Sequence, residues 1–307
     1  SGQNRKYVGD APDIGAYEYG DTVYWIPGFR YPHPSVPIPN DGAEDVPIDY
    51  SLVWNYPYKK DYSNTKATVT VSGPGVNRTE EFQYPHNVLF QAFEPGGTYN
   101  WSVTVDNVSG GNWSFKVSDK VYPLNDRSVD ITDKTSLIPY QINNLEVSNN
   151  KMSFLRFDIP SSITDSHKIK LNLVIDGEST LNGGIEFLEY GQTGWGENPD
   201  NKNIGIIDHS LGATIATLTS QANGTTVWDN GTAQSLDNGT ILSIDLTDKI
   251  TSYGGEYSVA IRVLETTDKV TFFSKEKLLT DGKHSNGVNY GKGYAPQKNV
   301  WPNISFQ

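Results

Sequence analysis

The 307-residue chain has no cysteine and a single methionine. The first absence excludes a disulfide framework, a thiolate metal site and a cysteine nucleophile. No apolar run is long enough to cross a bilayer. Positive charge is also scarce: 24 Lys and Arg face 36 Asp and Glu, a formal net charge of −12. That balance opposes nucleic acid and anionic membranes as partners. The HExxH, GxSxG and P-loop signatures are absent. The start, Ser1-Gly2-Gln3-Asn4, has neither the basic residues nor the apolar stretch of a signal peptide. The chain is therefore expected to lack its native N-terminus.

What is abundant is Thr, Val, Asn, Gly and aromatic residues, the set that suits strands and tight turns. The length favours two domains. The expected fold class is all-β, with two β-sandwich modules: a small sandwich over 41–118, then a larger jelly roll over 119–307. Residues 22–40 carry five prolines and four aromatics, so 1–40 is assigned to a leading remnant and a Pro-rich linker or stiff lead-in strand. Within 41–118 the runs around Trp54, from Lys66, from Tyr99 to Val105 and after Gly110-Gly111 alternate as short strands. Within 119–307, Phe154, Arg156 and Asp158 alternate against Leu155, Phe157 and Ile159. Ile169, Leu171, Leu173 and Ile175 keep the same step. The run after Gly239 reads as a strand followed by a turn or a short helix, and the last residues read as a closing strand. Eight Asn-X-Ser/Thr sequons occur. Asn223, Asn230 and Asn238 each precede Gly-Thr, which suits hairpin turns better than glycosylation.

Three stretches carry family resemblance. Leu52-Val-Trp54, Pro95-Gly-Gly-Thr-Tyr-Asn-Trp101 and Trp113-Ser-Phe115 make 41–118 resemble fibronectin type III and immunoglobulin-like modules. The resemblance implies that Trp54, Trp101 and Phe115 are core, that Tyr99 bonds back to upstream backbone, and that the module is a spacer. In 119–307, the order of Phe154-Leu-Arg-Phe-Asp158, Trp195-Gly-Glu197 and Ser274-Lys-Glu276 resembles the DNRLRE-type carbohydrate-binding module of bacterial polysaccharide-degrading enzymes. The segment between Lys277 and Val300 is longer than that pattern has. Residues 8–20, VGDAPDIGAYEYG, resemble the C-terminal coil of parallel β-helix polysaccharide lyases. These resemblances imply a secreted bacterial protein, a monomer, whose covalently linked catalytic domain is missing here. The absence of cysteine agrees with a bacterial source.

No catalytic residues are assigned. His33, His86, His167, His209 and His284 are scattered, and nothing positions a pair of carboxylates as acid and base. The expected role is binding of an anionic polysaccharide: alginate first, then ulvan or a sulfated fucan or galactan. Between Lys269 and Lys298 six lysines stand against Glu276 and Asp281, a local reversal of sign. Candidate binding residues there are Lys275, Lys283, Tyr290, Lys292, Tyr294 and Lys298; a solvated loop is the alternative. Arg156 and Arg262 match carboxylate or sulfate through their two-pronged guanidinium, or form cross-strand salt bridges. Trp228 is a candidate stacking platform, and Trp195 a platform or a loop anchor. Asp126, Asp130, Asp133 and Glu276 are candidate ligands for a structural Ca²⁺, or simply turn residues. A lyase or hydrolase site in the jelly roll, and a purely structural spacer or adhesin, are the competing readings.

Overall fold

A computed structural model describes residues 31–132, 144–191, 211–220, 226–229, 231–275 and 300–307. The described residues form 21 strands and no helix. The first eight are β1 (Ser35–Ile38), β2 (Ala43–Val46), β3 (Asp49–Asn55), β4 (Lys66–Gly73), β5 (Val76–Gln83), β6 (Val88–Ala92), β7 (Thr98–Val105) and β8 (Val108–Val117). They build a three-stranded sheet, β1-β3-β6, and a five-stranded sheet, β2-β8-β7-β4-β5. Pairing thus begins at Ser35, inside the stretch assigned to the linker, because β1 returns antiparallel onto β3.

Period-two alternation is what buries this sandwich. In β7, Tyr99, Trp101, Val103 and Val105 are buried while Thr98 and Asn100 are exposed. In β4, Ala67, Val69 and Val71 turn inward in the same way. Trp54, Trp101 and Phe115 all lie in this core. The Tyr99 hydroxyl accepts the Glu94 N–H at 2.8 Å and donates to Pro74 O at 2.8 Å. This is the tyrosine-corner geometry, in which one side chain ties a strand start to backbone on two neighbouring turns.

The remaining strands are β9 (Lys120–Val121), β10 (Asn125–Asp130), β11 (Asn144–Ser148), β12 (Lys151–Ile159), β13 (Ile169–Val174), β14 (Gly184–Tyr190) and β15 (Leu211–Ser220). They continue with β16 (Thr226–Asp229), β17 (Thr232–Ser235), β18 (Ile241–Asp245), β19 (Gly255–Val263), β20 (Lys269–Phe273) and β21 (Asn303–Phe306). A nine-stranded sheet, β17-β16-β15-β14-β19-β12-β11-β20 with β10 also on β12, packs over a four-stranded one, β18-β13-β21-β9. Every pair is antiparallel. Two facing antiparallel sheets are what the jelly-roll expectation requires, though the sheets are unequal in width. Ile169, Leu171 and Leu173 face Leu155, Phe157, Phe187, Val259 and Ile261 in the shared core. Of the two readings after β18, a turn or a short helix, the structure has the turn, with one Ile250 N–H to Leu246 O bond at 3.1 Å. The hairpin of β16 and β17 closes around Gly231, whose φ of 86° is the left-handed region that an Asn-Gly turn needs.

One buried carboxylate fixes the start of β14. Asp268 is 1% exposed and accepts backbone N–H bonds from Asn182, Gly183, Gly184 and Glu265. Gly184 has a φ of 135°, and a Cβ there would collide with Leu218 O on β15. The turn therefore accepts no side chain, and Asp268 supplies the acceptors that its bunched N–H groups need.

The two sandwiches meet where the chain passes from β8 to β9. The His167 ring lies 3.5 Å from the Glu94 carboxylate across this junction. The Ser118 N–H bonds Val46 O at 2.8 Å on one side, and the Phe306 N–H bonds Asp119 O at 2.9 Å on the other.

Candidate functional site

The junction encloses a cleft of about 360 Å³. One wall is the β2–β3 segment: Asp45, Pro47, Ile48 and Asp49. The floor is the connection Ser118, Lys120, Val121, Tyr122 and Leu124. The far wall is the end of β12 with its following residue, Asp158 and Pro160. Apolar surface and charge thus alternate around one space, with three carboxylates and one ammonium.

The Tyr122 ring stands edge-on to Trp301, with centroids 5.6 Å apart and planes at 86°. Burial pushes its hydroxyl up to about 12, helped by the negative charges of Asp45 and Asp119. It therefore stays neutral, and a donor, at any ordinary pH. Burial also raises the Asp49 carboxyl; the nearby Ser161 N–H opposes that shift and the Asp158 charge adds to it. Two carboxylates from different sandwiches thus face each other across the cleft. Asp45 holds a φ of 56°, which Asp tolerates better than most residues.

Two of the expected binding residues, Arg156 and Lys275, bond Leu124 of the cleft. Arg156 shares a face of β12 with Asp158, two residues on. Its Nη1 lies 2.6 Å from Glu256 on β19, and its Nε donates to Asn125 at 3.1 Å. The cross-strand salt bridge that its sequence position allows is therefore present. The Leu124 N–H donates to Arg156 O at 2.7 Å, and the Lys275 ammonium donates to Leu124 O. Leu124 thus links both cations to the cleft floor.

The other candidates lie elsewhere. Arg262 is paired with Glu186 at 2.6 Å on the outer face of the wide sheet. Trp228 is half-buried on β16, opposite Thr219, several strands from β12. Asp126 is buried and accepts the Lys275 N–H at 2.8 Å. Asp130 accepts the N–H and hydroxyl of Thr132 at 2.8 and 2.6 Å. Asp130 stands four extended positions beyond Asp126, about 13 Å away, so one ion with ligands at about 2.4 Å cannot bind both side chains. Among the described residues no three His, Asp or Glu side chains converge as metal ligands. Lys283, Tyr290, Lys292, Tyr294, Lys298, Trp195, Asp133 and Glu276 lie outside the described residues.

No protein-family model matches the chain, and no curated protein does. Solved structures do. A carbohydrate-binding module from the β-sandwich superfamily is similar over 78% of this chain and 96% of its own, at 10% identity and a TM-score of 0.23. A SusE-like protein is similar over 77% and 96%, at 10% identity and a TM-score of 0.20. The FN1–FN3 domains of chicken CNTN1 are similar over 70% of this chain and 55% of that one, at 6% identity and a TM-score of 0.23. Scores this low carry no functional argument, which has to come from the cleft.

Sequence reasoning named Arg156 and Lys275 as carbohydrate-binding candidates, and placed Asp158 on Arg156's side of its strand without a role. Asp45, Asp49, Tyr122 and Trp301 carried no signal as site residues. The cleft joins positions about 110 residues apart, so only the folded chain reveals it.

Proposed function

We propose that this chain binds carbohydrate, and that the cleft between its sandwiches holds the sugar. The observation that carries the reading is the cleft's mixture of one aromatic ring, Tyr122, with the carboxylates of Asp45, Asp49 and Asp158 and the ammonium of Lys120. A sugar ring presents an apolar C–H face and a fringe of hydroxyls. It needs a flat hydrophobic partner and convergent hydrogen-bonding groups together.

The finer reading is an anionic polysaccharide, alginate before ulvan or sulfated fucan and galactan. It draws on Arg156 and Lys275, which bond Leu124, and on the lysine-rich run from Lys269 to Lys298. Arg156 is engaged by Glu256, so a uronate or sulfate would have to compete with that carboxylate. A structural Ca²⁺ belongs to the same finer reading and rests on the sequence alone. The resemblance of residues 8–20 to a lyase tail supports a secreted bacterial enzyme in which this chain tethers a linked catalytic domain. Such tethering would raise the local substrate concentration.

Affinity gels cast with alginate, ulvan, sulfated fucan, laminarin or chitosan test the proposal. Retardation in any of them is expected, and unchanged mobility in all would refute carbohydrate binding. Incubation with alginate, followed by absorbance of unsaturated products, tests the catalytic alternative; product formation would overturn a binding-only role.

A further inference from the structure

The small sandwich presents a second aromatic surface at the end remote from the cleft. β3 starts at Asp49, in the cleft wall, and runs seven residues to Asn55. At about 3.3 Å per residue, its far end lies roughly 20 Å away. There the chain enters the 56–65 loop, and Tyr58 stands 65% exposed. Tyr31, 40% exposed, runs beside it: the Tyr58 N–H donates to Tyr31 O at 2.9 Å. The Tyr31 ring in turn stacks on His33, with centroids 5.4 Å apart and planes at 26°.

This loop is braced. The Tyr62 hydroxyl donates to Pro57 O at 2.9 Å and accepts the Lys59 N–H at 3.2 Å. The Tyr62 ring stacks on Tyr84 at 4.2 Å and 19°. The Thr65 N–H closes the loop onto Tyr62 O at 3.0 Å, and the Lys59 ammonium pairs with Asp106. Tyr56 is tied by its hydroxyl to His86 O at 2.8 Å. These bonds anchor the loop on both sides of Tyr58, which is 65% exposed. Its surroundings are polar: Lys60, Asp61, Ser63 and Asn64 are all exposed. Exposed tyrosine rings with hydroxyl, amide and carboxylate groups around them fit a sugar face and its hydroxyl fringe.

We propose that Tyr58 and Tyr31, with His33 behind them, form a second carbohydrate-stacking platform, so that the small sandwich takes part in binding instead of serving as a spacer. The proposal rests on the carbohydrate reading of the cleft. Its consequence is bivalency: a polysaccharide long enough to reach both ends is held by two weak sites, and each raises the effective concentration of the other.

The test uses the full chain in gels containing alginate, ulvan, sulfated fucan, laminarin or chitosan. The proteins are wild type, a Tyr31→Ala/Tyr58→Ala double variant, Tyr58→Phe, and Tyr122→Ala. The double variant also loses the Tyr31–His33 stack, so its melting temperature should fall slightly, and binding is compared well below it. Expected is a loss of about threefold to tenfold in polysaccharide affinity for the double variant, with Tyr58→Phe retaining affinity because the ring remains. If Tyr122→Ala weakens retardation and the double variant does not, the platform is refuted and the cleft stands. If wild type is not retarded in any gel, the carbohydrate reading itself fails, and the platform with it.

Discussion

Tyr122 offers the sharpest perturbation of the cleft, because its ring and its hydroxyl can be removed separately. A pyranose face resting on the ring would cover about 60 Å² of apolar surface. At about 25 cal/mol per Å² that is about 1.5 kcal/mol, or roughly tenfold in Kd. Tyr122→Ala should therefore weaken oligosaccharide binding about tenfold in isothermal titration calorimetry. It should also lower the melting temperature, since Trp301 loses its edge-on partner at 5.6 Å, a contact of about 0.5–1.5 kcal/mol beyond simple burial. Tyr122→Phe keeps the ring and both of those terms, so its affinity should stay within about threefold of wild type, the hydroxyl contributing about 0.5 kcal/mol. The reasoning is refuted if Tyr122→Ala melts earlier yet binds as tightly as wild type, for the ring would then be structural only.

Three further outcomes follow from the same geometry. Asp49 has its carboxyl raised by burial, so the folded state holds that proton more tightly than the unfolded one. Ionised Asp49 therefore costs stability at neutral pH, and the cost fades as pH falls through its raised folded value. Asp49→Asn should melt higher than wild type at pH 7, with the gain shrinking toward about pH 4; a lower melting temperature at pH 7 would contradict this. Asp268→Asn replaces part of a carboxylate that serves four backbone N–H groups, and should cost about 2–4 kcal/mol in urea unfolding. A loss under about 0.5 kcal/mol would mean that water replaces it. Tyr99→Phe leaves the Glu94 N–H and Pro74 carbonyl without their shared partner, and should lower stability by about 1–3 kcal/mol with an unchanged urea slope.

The strands were legible because their side chains alternate without interruption. Tyr99, Trp101, Val103 and Val105 declare an inner face by spacing alone, and Ile169, Leu171 and Leu173 do the same. Tyr99 was identifiable as a corner because it opens a strand just after a Pro-Gly turn. Of the two readings of the proline-rich approach, linker or lead-in strand, its last part is a strand: Pro37 lies within β1 and Pro39 follows it, the strand pairs with β3 only at Ser35 and Ile38, and edge pairing of that kind tolerates missing donors. Arg156 was correctly seen to face away from Leu155 and Phe157. Its partner Glu256 lies 100 residues along the chain, so its engagement could not be read from spacing. The cleft is assembled from three short segments with no motif among them. The Tyr58 loop was missed for the same reason: it is held by Tyr62 stacking on Tyr84, a pairing between separate loops.

The central claim is that a sugar occupies the junction cleft. Hydrogen–deuterium exchange of the full chain, with and without an oligosaccharide of the most strongly retarding gel polysaccharide, tests it directly. The account predicts slower exchange in residues 45–49, 118–124 and 158–161 on addition of the oligosaccharide. Bound oligosaccharide with unchanged exchange in all three segments would contradict it.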